Sequence, residues 1–329
     1  MKLLTKIDIA KSDIDINHQT KMMMFGSCFS DNIGTKLLEN KFNVNINPFG
    51  ILYNPASIAS SINRLLARKS FTIKDLRYHN NIYQSFMHHG SYSSDDAKYS
   101  LSKINEDYRK AAKMIRDTNI FLFTFGTAYT FKLKYSKQVV ANCHKFTPDT
   151  FIRERLSIDE IVIEWSNILN KLIEINPDAK FIFTVSPIRH WKDGAHENVI
   201  SKSILHLAID RLQTIFPNIV SYFPAYEILI DELRDYRFYA DDMVHPSSLA
   251  IEYIWNKFDD TYFSETTQDI NKQWNKLSKA MSHRSTNQNE DNYKKFLIQT
   301  RLRVMEFARK YPYIDCSPEL SHLKFLITL

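Results

Sequence analysis

The residues best suited to chemistry stand in Met22-Met23-Met24-Phe25-Gly26-Ser27-Cys28-Phe29-Ser30-Asp31-Asn32. A short apolar run stops there at a glycine, and small polar residues follow at once. The order predicts strand, tight turn and helix, which presents a hydroxyl or thiol at the mouth of a parallel sheet. Unpaired amides of the helix N-terminus converge on the same point. Ser27 or Cys28 would serve there as an acyl-transfer nucleophile, and the helix amides are expected to lower the pKa of a Cys28 thiol. Other suggestive groups read differently. Cys143-His144 lacks a zinc ligand set, because Cys316 is the only thiol left besides Cys28 and adjacent side chains diverge. His88-His89 and Arg189-His190 read as pocket lining or ordinary loop histidines, and no cofactor or metal is expected.

The elements that must position these residues follow a βα alternation. Ile33, Leu37 and Leu38 give the first helix a face, and Asn43-Val44-Asn45-Ile46 alternates as a second strand closed by Asn47-Pro48-Phe49-Gly50. Asn54 as N-cap and Pro55 at the first helical position open a helix through Ile58, Ile62, Leu65 and Leu66. Residues 71–100 show no period and read as a long excursion. A helix with Ile104, Tyr108, Ala111 and Ile115 leads into the buried-type strand Phe121–Phe125, and Tyr129 to Val140 reads as an inserted hairpin. Ser157-Ile158-Asp159-Glu160 is a capping box for a helix through Ile175. Phe181–Val185 is a fourth sheet strand and Ile219–Phe223 a fifth, joined by a helix carrying Val199, Ile200, Ile204, Leu207 and Leu212. A last core helix carries Ile251, Ile254, Trp255 and Phe258. Right-handed parallel crossovers make this a three-layer α/β/α sandwich.

Residues 1–262 form the expected catalytic domain and 263–329 a helical extension. In that extension Ile270, Trp274, Leu277 and Met281 form one face, Ser282 to Asn292 a linker, and Tyr293, Leu297, Val304 and Ala308 a second face.

Phe25-Gly26-Ser27-Cys28-Phe29-Ser30 resembles the pentapeptide signature of the GSCFA family, grouped with the SGNH or GDSL-type hydrolases. In a gap-free register with Gly-Asp-Ser-Leu-Ser, Gly26 takes the glycine, Phe29 the leucine and Ser30 the second serine. The nucleophile position then falls on Cys28, with Ser27 in place of the aspartate. The resemblance implies a flavodoxin-like strand order 2-1-3-4-5. It also assigns roles to Asp242 and His245, which have the Asp-x-x-His spacing of the superfamily's last block. There the histidine is general base and the aspartate orients it. The implied oxyanion donors are the amides of Cys28 and Gly50 and an asparagine after the third strand. Gly126-Thr127-Ala128-Tyr129 stands where that asparagine would be, so Asn142 or the Thr127 hydroxyl is expected to replace it.

The implied function is an esterase or acyltransferase that works through an acyl-enzyme on a small-molecule or carbohydrate ester. The alternative is a non-catalytic carbohydrate- or partner-binding protein on the same scaffold, favoured by the missing Gly-x-Asn-Asp block.

The whole-chain composition is that of an ordinary folded globule. At 329 residues, 44% hydrophobic and 13% aromatic, the chain supports a large core. Its net charge of +6 comes from 43 basic and 37 acidic residues that are scattered, not striped. Lys294, Lys295, Arg301, Arg303, Arg309 and Lys310 are interleaved with Glu306 and read as a solvated helix face, so no nucleic-acid partner is expected. No run of about 18 apolar residues suggests a membrane span. Lys6, Asp8 and Lys11 interrupt the N-terminus too early for a secretion signal, and three widely spaced cysteines suit a reducing compartment, so a cytoplasmic address is expected.

Overall fold

In a computed structural model of the protein, residues 5–282 and 290–328 are described, so most of the segment read as a linker lies outside them. The chain divides into two compact units. The first comprises residues 1–9, 21–35 and 44–257, and the second 10–20, 36–43 and 258–329.

The first unit is built on a parallel sheet of β1 (Met22–Gly26), β2 (Val44–Ile46), β5 (Ile120–Phe125), β9 (Lys180–Val185) and β10 (Val220–Tyr222). Its spatial order is β10-β9-β5-β1-β2, which is 2-1-3-4-5 when these five strands alone are counted, as the resemblance implied. Helices α2 (Pro55–Leu66), α3 (Ala97–Met114), α4 (Ile158–Ile175) and α5 (Ala195–Ile215) connect the strands. Side chains alternate along each strand. Met23, Phe25, Phe121, Phe123, Phe181 and Phe183 pack in one cluster with Ile58 and Ile62 of α2, Trp165 of α4 and Leu205 of α5. Met22, Met24, Leu122 and Ile182, of opposite parity, are equally buried, so both faces of the sheet are covered and the fold is a three-layer α/β/α sandwich.

Register sets the site. Gly26 pairs with Thr124 and Phe125 with Val185, so β1, β5 and β9 end at one edge. The residues that follow them, Ser27 and Cys28, Gly126 and Thr127, and Ser186, are thereby brought together.

Three expectations change. The hairpin of β6 (Tyr129–Leu133) and β7 (Val139–Val140) gains a third strand, β8 (Phe151–Arg155), which pairs antiparallel with β6. The excursion over 71–100 contains a second hairpin, β3 (Leu76–His79) with β4 (Ile82–Ser85). Helix α5 buries Asn198, Ser201, Lys202, Leu205, Ala208, Ile209 and Leu212. Of the apolar residues read on this helix, Leu212 is buried and Ile204 packs against the core, whereas Val199 and Leu207 are 55% and 51% exposed. The face that packs has polar residues at its N-terminal end, which an apolar count passes over.

Within the second unit, α8 (Glu265–Ser282), α9 (Glu290–Lys310) and α10 (Ser317–Thr328) share a core of Ile270, Trp274, Leu297, Val304, Phe307 and Leu323. Both faces read from sequence enter it, whereas α10 went unpredicted. Trp274 Nε1 donates to the Glu39 carbonyl at 2.8 Å, and Lys41 pairs with Glu319 at 2.6 Å. No helix among the described residues is long and apolar enough to cross a membrane.

Candidate active site

The turn after β1 leaves no freedom to its glycine. Gly26 has φ +150°, and a Cβ there would lie 2.4 Å from the Thr124 carbonyl oxygen. Side chains fasten the turn on either side. Ser30 Oγ donates to Thr124 Oγ1 at 2.7 Å, Gly26 N donates to Asn47 Oδ1 at 2.8 Å, and Asn47 Nδ2 donates to Asp31 Oδ1 at 2.5 Å. Helix α1 (Cys28–Glu39) starts at the thiol itself.

The segment after β2 then folds over the strand ends. Leu52 N donates to the Gly26 carbonyl, while the Tyr53 carbonyl accepts from the amides of Gly126 and Thr127. This brings Tyr53 to the same edge as Cys28, close enough for the two groups to act on each other electrostatically.

A cleft of about 860 Å³ opens at this edge. Ser27, Cys28, Thr127 and His245 all line it, together with Tyr53, Asn54 and His190. Ser27 is 2% exposed and its Oγ accepts from Phe29 N at 3.4 Å, whereas Cys28 is partly exposed. His245 Nδ1 faces Asp242 Oδ2 at 2.5 Å, which leaves Nε2 as the ring nitrogen available to the cleft. Asp242 Oδ1 also accepts from the amides of His245 and Val244. These bonds, led by the His245 amide, hold the Asp242 carboxyl down at about 2. It is ionised across the neutral range. No hydrogen bond among the described residues joins His245 to Cys28 or Ser27.

The thiol departs from expectation. Burial pushes the Cys28 pKa above its ordinary value, and the Asp31 carboxylate adds to the rise. The Cys28 amide and the Tyr53 hydroxyl act in the lowering direction and are outweighed. A helix N-terminus activates a thiol only where its amides exceed the cost of desolvation.

Two expected oxyanion residues are not brought to the cleft. The Gly50 amide donates to the Asn47 carbonyl at 2.7 Å, closing the turn in which it sits. Asn142 Oδ1 accepts from His144 N at 2.9 Å, so its side chain caps the loop beyond β7. Neither residue lines the cleft. Thr127 does, but its hydroxyl already accepts from Tyr129 N and shares a hydrogen bond with Ser201 Oγ.

Asn54 is better placed than either. Its Oδ1 accepts from Ser57 N at 2.8 Å as the cap of α2, which fixes the amide and leaves Nδ2 without a protein partner among the described residues. Its role in sequence was legible only as a cap.

Beneath the cleft lies Lys202, fully buried, with Nζ donating at 2.6 Å to both the Gly126 and Ser186 carbonyls. Burial lowers its pKa to about 7, with the Arg189 charge contributing. The lysine ties the ends of β5 and β9 together. His190, which lines the cleft, has a buried Nε2 with no hydrogen-bond partner among the described residues, and its pKa falls to about 4 through burial and the charges of Lys202 and Arg153. No group of three or more His, Cys, Asp or Glu among the described residues could hold a metal.

Comparison with known proteins gave two family matches. The GSCFA family model matches residues 21–258, and the model described as GSCFA domain protein, C-terminal domain, matches 274–327. No curated protein matches the chain. Similar solved structures include a carbohydrate esterase family 3 protein from Talaromyces cellulolyticus, at 12% identity and TM-score 0.35, covering 77% of this chain and 99% of that one. A family 3 carbohydrate esterase from Clostridium thermocellum has 10% identity and TM-score 0.36, covering 77% and 97%. The acetyl xylan esterase Est2A from Butyrivibrio proteoclasticus has 9% identity and TM-score 0.37, covering 74% and 63%.

Proposed function

The chain belongs to the GSCFA family, and from that premise we propose that it is an enzyme of acyl transfer, cleaving an ester through a covalent acyl-enzyme on Cys28. The observation that carries the reading is the shared cleft, in which Cys28 at the start of α1 and an Asp242-oriented His245 line one cavity.

His245 Nε2 takes the thiol proton as Sγ attacks the acyl carbon, and the same proton goes to the departing alkoxide when the C–O bond breaks. Water or a hydroxyl then attacks the thioester, gives its proton to Nε2 and releases the thiol. With water the enzyme is an esterase, and with an acceptor hydroxyl an acyltransferase. Negative charge on the acyl oxygen is met by the Cys28 amide and Asn54 Nδ2. Because the resting thiol is held protonated by burial and Asp31, proton removal by His245 is an essential part of the attack.

The test is trapping. Incubation with acetyl esters and mass spectrometry of the quenched protein is expected to show an acetyl adduct on Cys28, absent from Cys28→Ala. Asn54→Ala is expected to slow its formation about 10²-fold, the usual cost of one oxyanion donor. An adduct on Ser27 instead would move the nucleophile by one residue. The second reading, a non-catalytic binder of carbohydrate or a partner, is favoured by the missing hydrogen bond between Cys28 and His245. It takes over if no adduct forms with any ester.

A further inference from the structure

The charge lining the cleft is one-sided, and we infer that the acylated substrate carries an anionic group, a carboxylate or a phosphate, engaged by Lys145, Arg189 and Lys192. This rests on the acyl-transfer reading for the identity of the scissile bond, but not for the charge of the ligand.

Four cations line the cleft, Lys145, Arg153, Arg189 and Lys192, against the single carboxylate of Asp193. Arg153 is already committed. It pairs with Asp193, and its guanidinium lies 3.8 Å from the ring centre of Tyr129, so it is fixed as part of the wall. That pair consumes the cleft's one acid. Lys145, Arg189 and Lys192 form no ion pair among the described residues, and Arg189 has only the Trp191 ring beneath it, at 5.6 Å.

These cations come from two loops, residues 141–147 beyond β7 and residues 186–193 beyond β9. Lys145 is held at φ +60°, a left-handed conformation that side chains of its kind rarely adopt, directly after His144 at φ +49°. His144 is pinned by Nε2 to the Ser85 carbonyl at 2.7 Å, so the loop carrying Lys145 is anchored. On the other loop the His190 amide donates to Asn198 Oδ1 at 2.9 Å, between Arg189 and Lys192.

A cleft with low-dielectric walls and one sign of charge concentrates ligands of the other sign. Here the walls also include Tyr53, Tyr129, Phe131, Phe146 and Phe151, flat surfaces suited to a sugar ring or another planar body. An acylated sugar acid, a sugar phosphate and a phosphate-bearing thioester share the required chemistry.

The experiment compares kcat/KM for an acetylated methyl xyloside, an acetylated methyl glucuronoside and acetyl-coenzyme A, which supply no charge, a carboxylate and phosphates. Each is measured on the wild type, on Lys145→Gln/Lys192→Gln, and on the triple variant that adds Arg189→Gln. The wild type is expected to prefer at least one anionic donor by about tenfold, and the triple variant to retain less than about threefold preference. Raising the salt concentration should shrink the wild-type preference in the same direction. Whichever anionic donor wins identifies the source of the charge. A neutral donor used as well as both anionic ones, or a preference that survives the triple variant, overturns the proposal. Calorimetric titration with methyl glucuronoside and glucose 6-phosphate against methyl glucoside separates the two readings. If no ester is turned over, acyl transfer fails, and the anionic-to-neutral binding ratio still decides the charge.

Discussion

The two sides of the cleft are built in opposite ways. The nucleophile side is tied from every direction: Gly26 packs against Thr124, Ser30 bonds into β5, Asn47 bridges Gly26 and Asp31, and the Tyr53 carbonyl holds the amides of Gly126 and Thr127. The His245 side is a turn of half-exposed residues, in which one aspartate holds both the ring and the two following amides. Rigidity is therefore concentrated where a covalent bond would form. Orientation of His245, the proton carrier proposed above, depends on the single side chain of Asp242. Burial and Asp31 favour the protonated thiol on the rigid side, so in the proposed mechanism the attack waits for His245 to take the proton.

The largest way to break this arrangement is to remove the carrier. His245→Ala is expected to lower the rate of acetyl adduct formation roughly 10²–10⁴-fold, the usual span for general-base catalysis, with little change in melting temperature because the ring is half exposed. Asp242→Asn should fall between that variant and the wild type, since it keeps an acceptor for Nδ1 but loses the charge that holds the imidazolium. Equal rates for all three proteins would remove His245 from the reaction.

Next in size comes the rigid side. Gly26→Ala is expected to cost about 3 kcal/mol of stability in denaturant titration, because its Cβ meets a backbone oxygen and its φ is strained as well. A cost below about 1 kcal/mol would show that the turn relaxes, contrary to the picture of a fixed nucleophile side.

Much of this was legible beforehand, for definable reasons. Three of the five sheet strands, β1, β5 and β9, are nearly continuous apolar runs, and Gly26 followed by small polar residues marks the nucleophile turn without long-range information. The helical faces of α8 and α9 obey simple periodicity. What stayed hidden were residues whose partners are distant in sequence. Lys202 reads as solvated on any helix, yet it is buried because two strand ends present carbonyls to it. Asn54 has a complete local explanation as a helix cap, so nothing local pointed to its free Nδ2. The thiol's raised pKa was invisible for the same reason: a helix N-terminus can be read from sequence, whereas desolvation depends on what folds over it.

Smaller effects sharpen the contrast between the two sides. Met243, within the His245 turn, has φ +57°, a left-handed conformation. Met243→Gly relieves that strain but adds chain entropy to the unfolded state, so a net stabilisation of about 0.5 kcal/mol is expected. Glycine is thus favoured at both turns, by about 3 kcal/mol on the nucleophile side and only about 0.5 kcal/mol on the other, a difference in size that differential scanning calorimetry of the pair of variants would read directly.

The smallest effect tests the electrostatics of the thiol. Removing the negative charge at Asp31 removes a repulsion felt by the thiolate and not by the thiol, so the pKa of Cys28 falls in Asp31→Asn. Below that pKa the alkylation rate follows the thiolate fraction, so iodoacetamide labelling of Cys28 at pH 8 should accelerate about threefold. In the wild type the rate should keep rising through and beyond the ordinary thiol range, with no plateau at neutral pH. His245→Ala should leave this profile in place, because burial and Asp31, the two leading causes of the raised pKa, both belong to the rigid side. A wild-type plateau below pH 8 would mean that the helix amides overcome both opposing effects. In that case the thiol would be active at rest, and the division of labour between the two sides of the cleft would not hold.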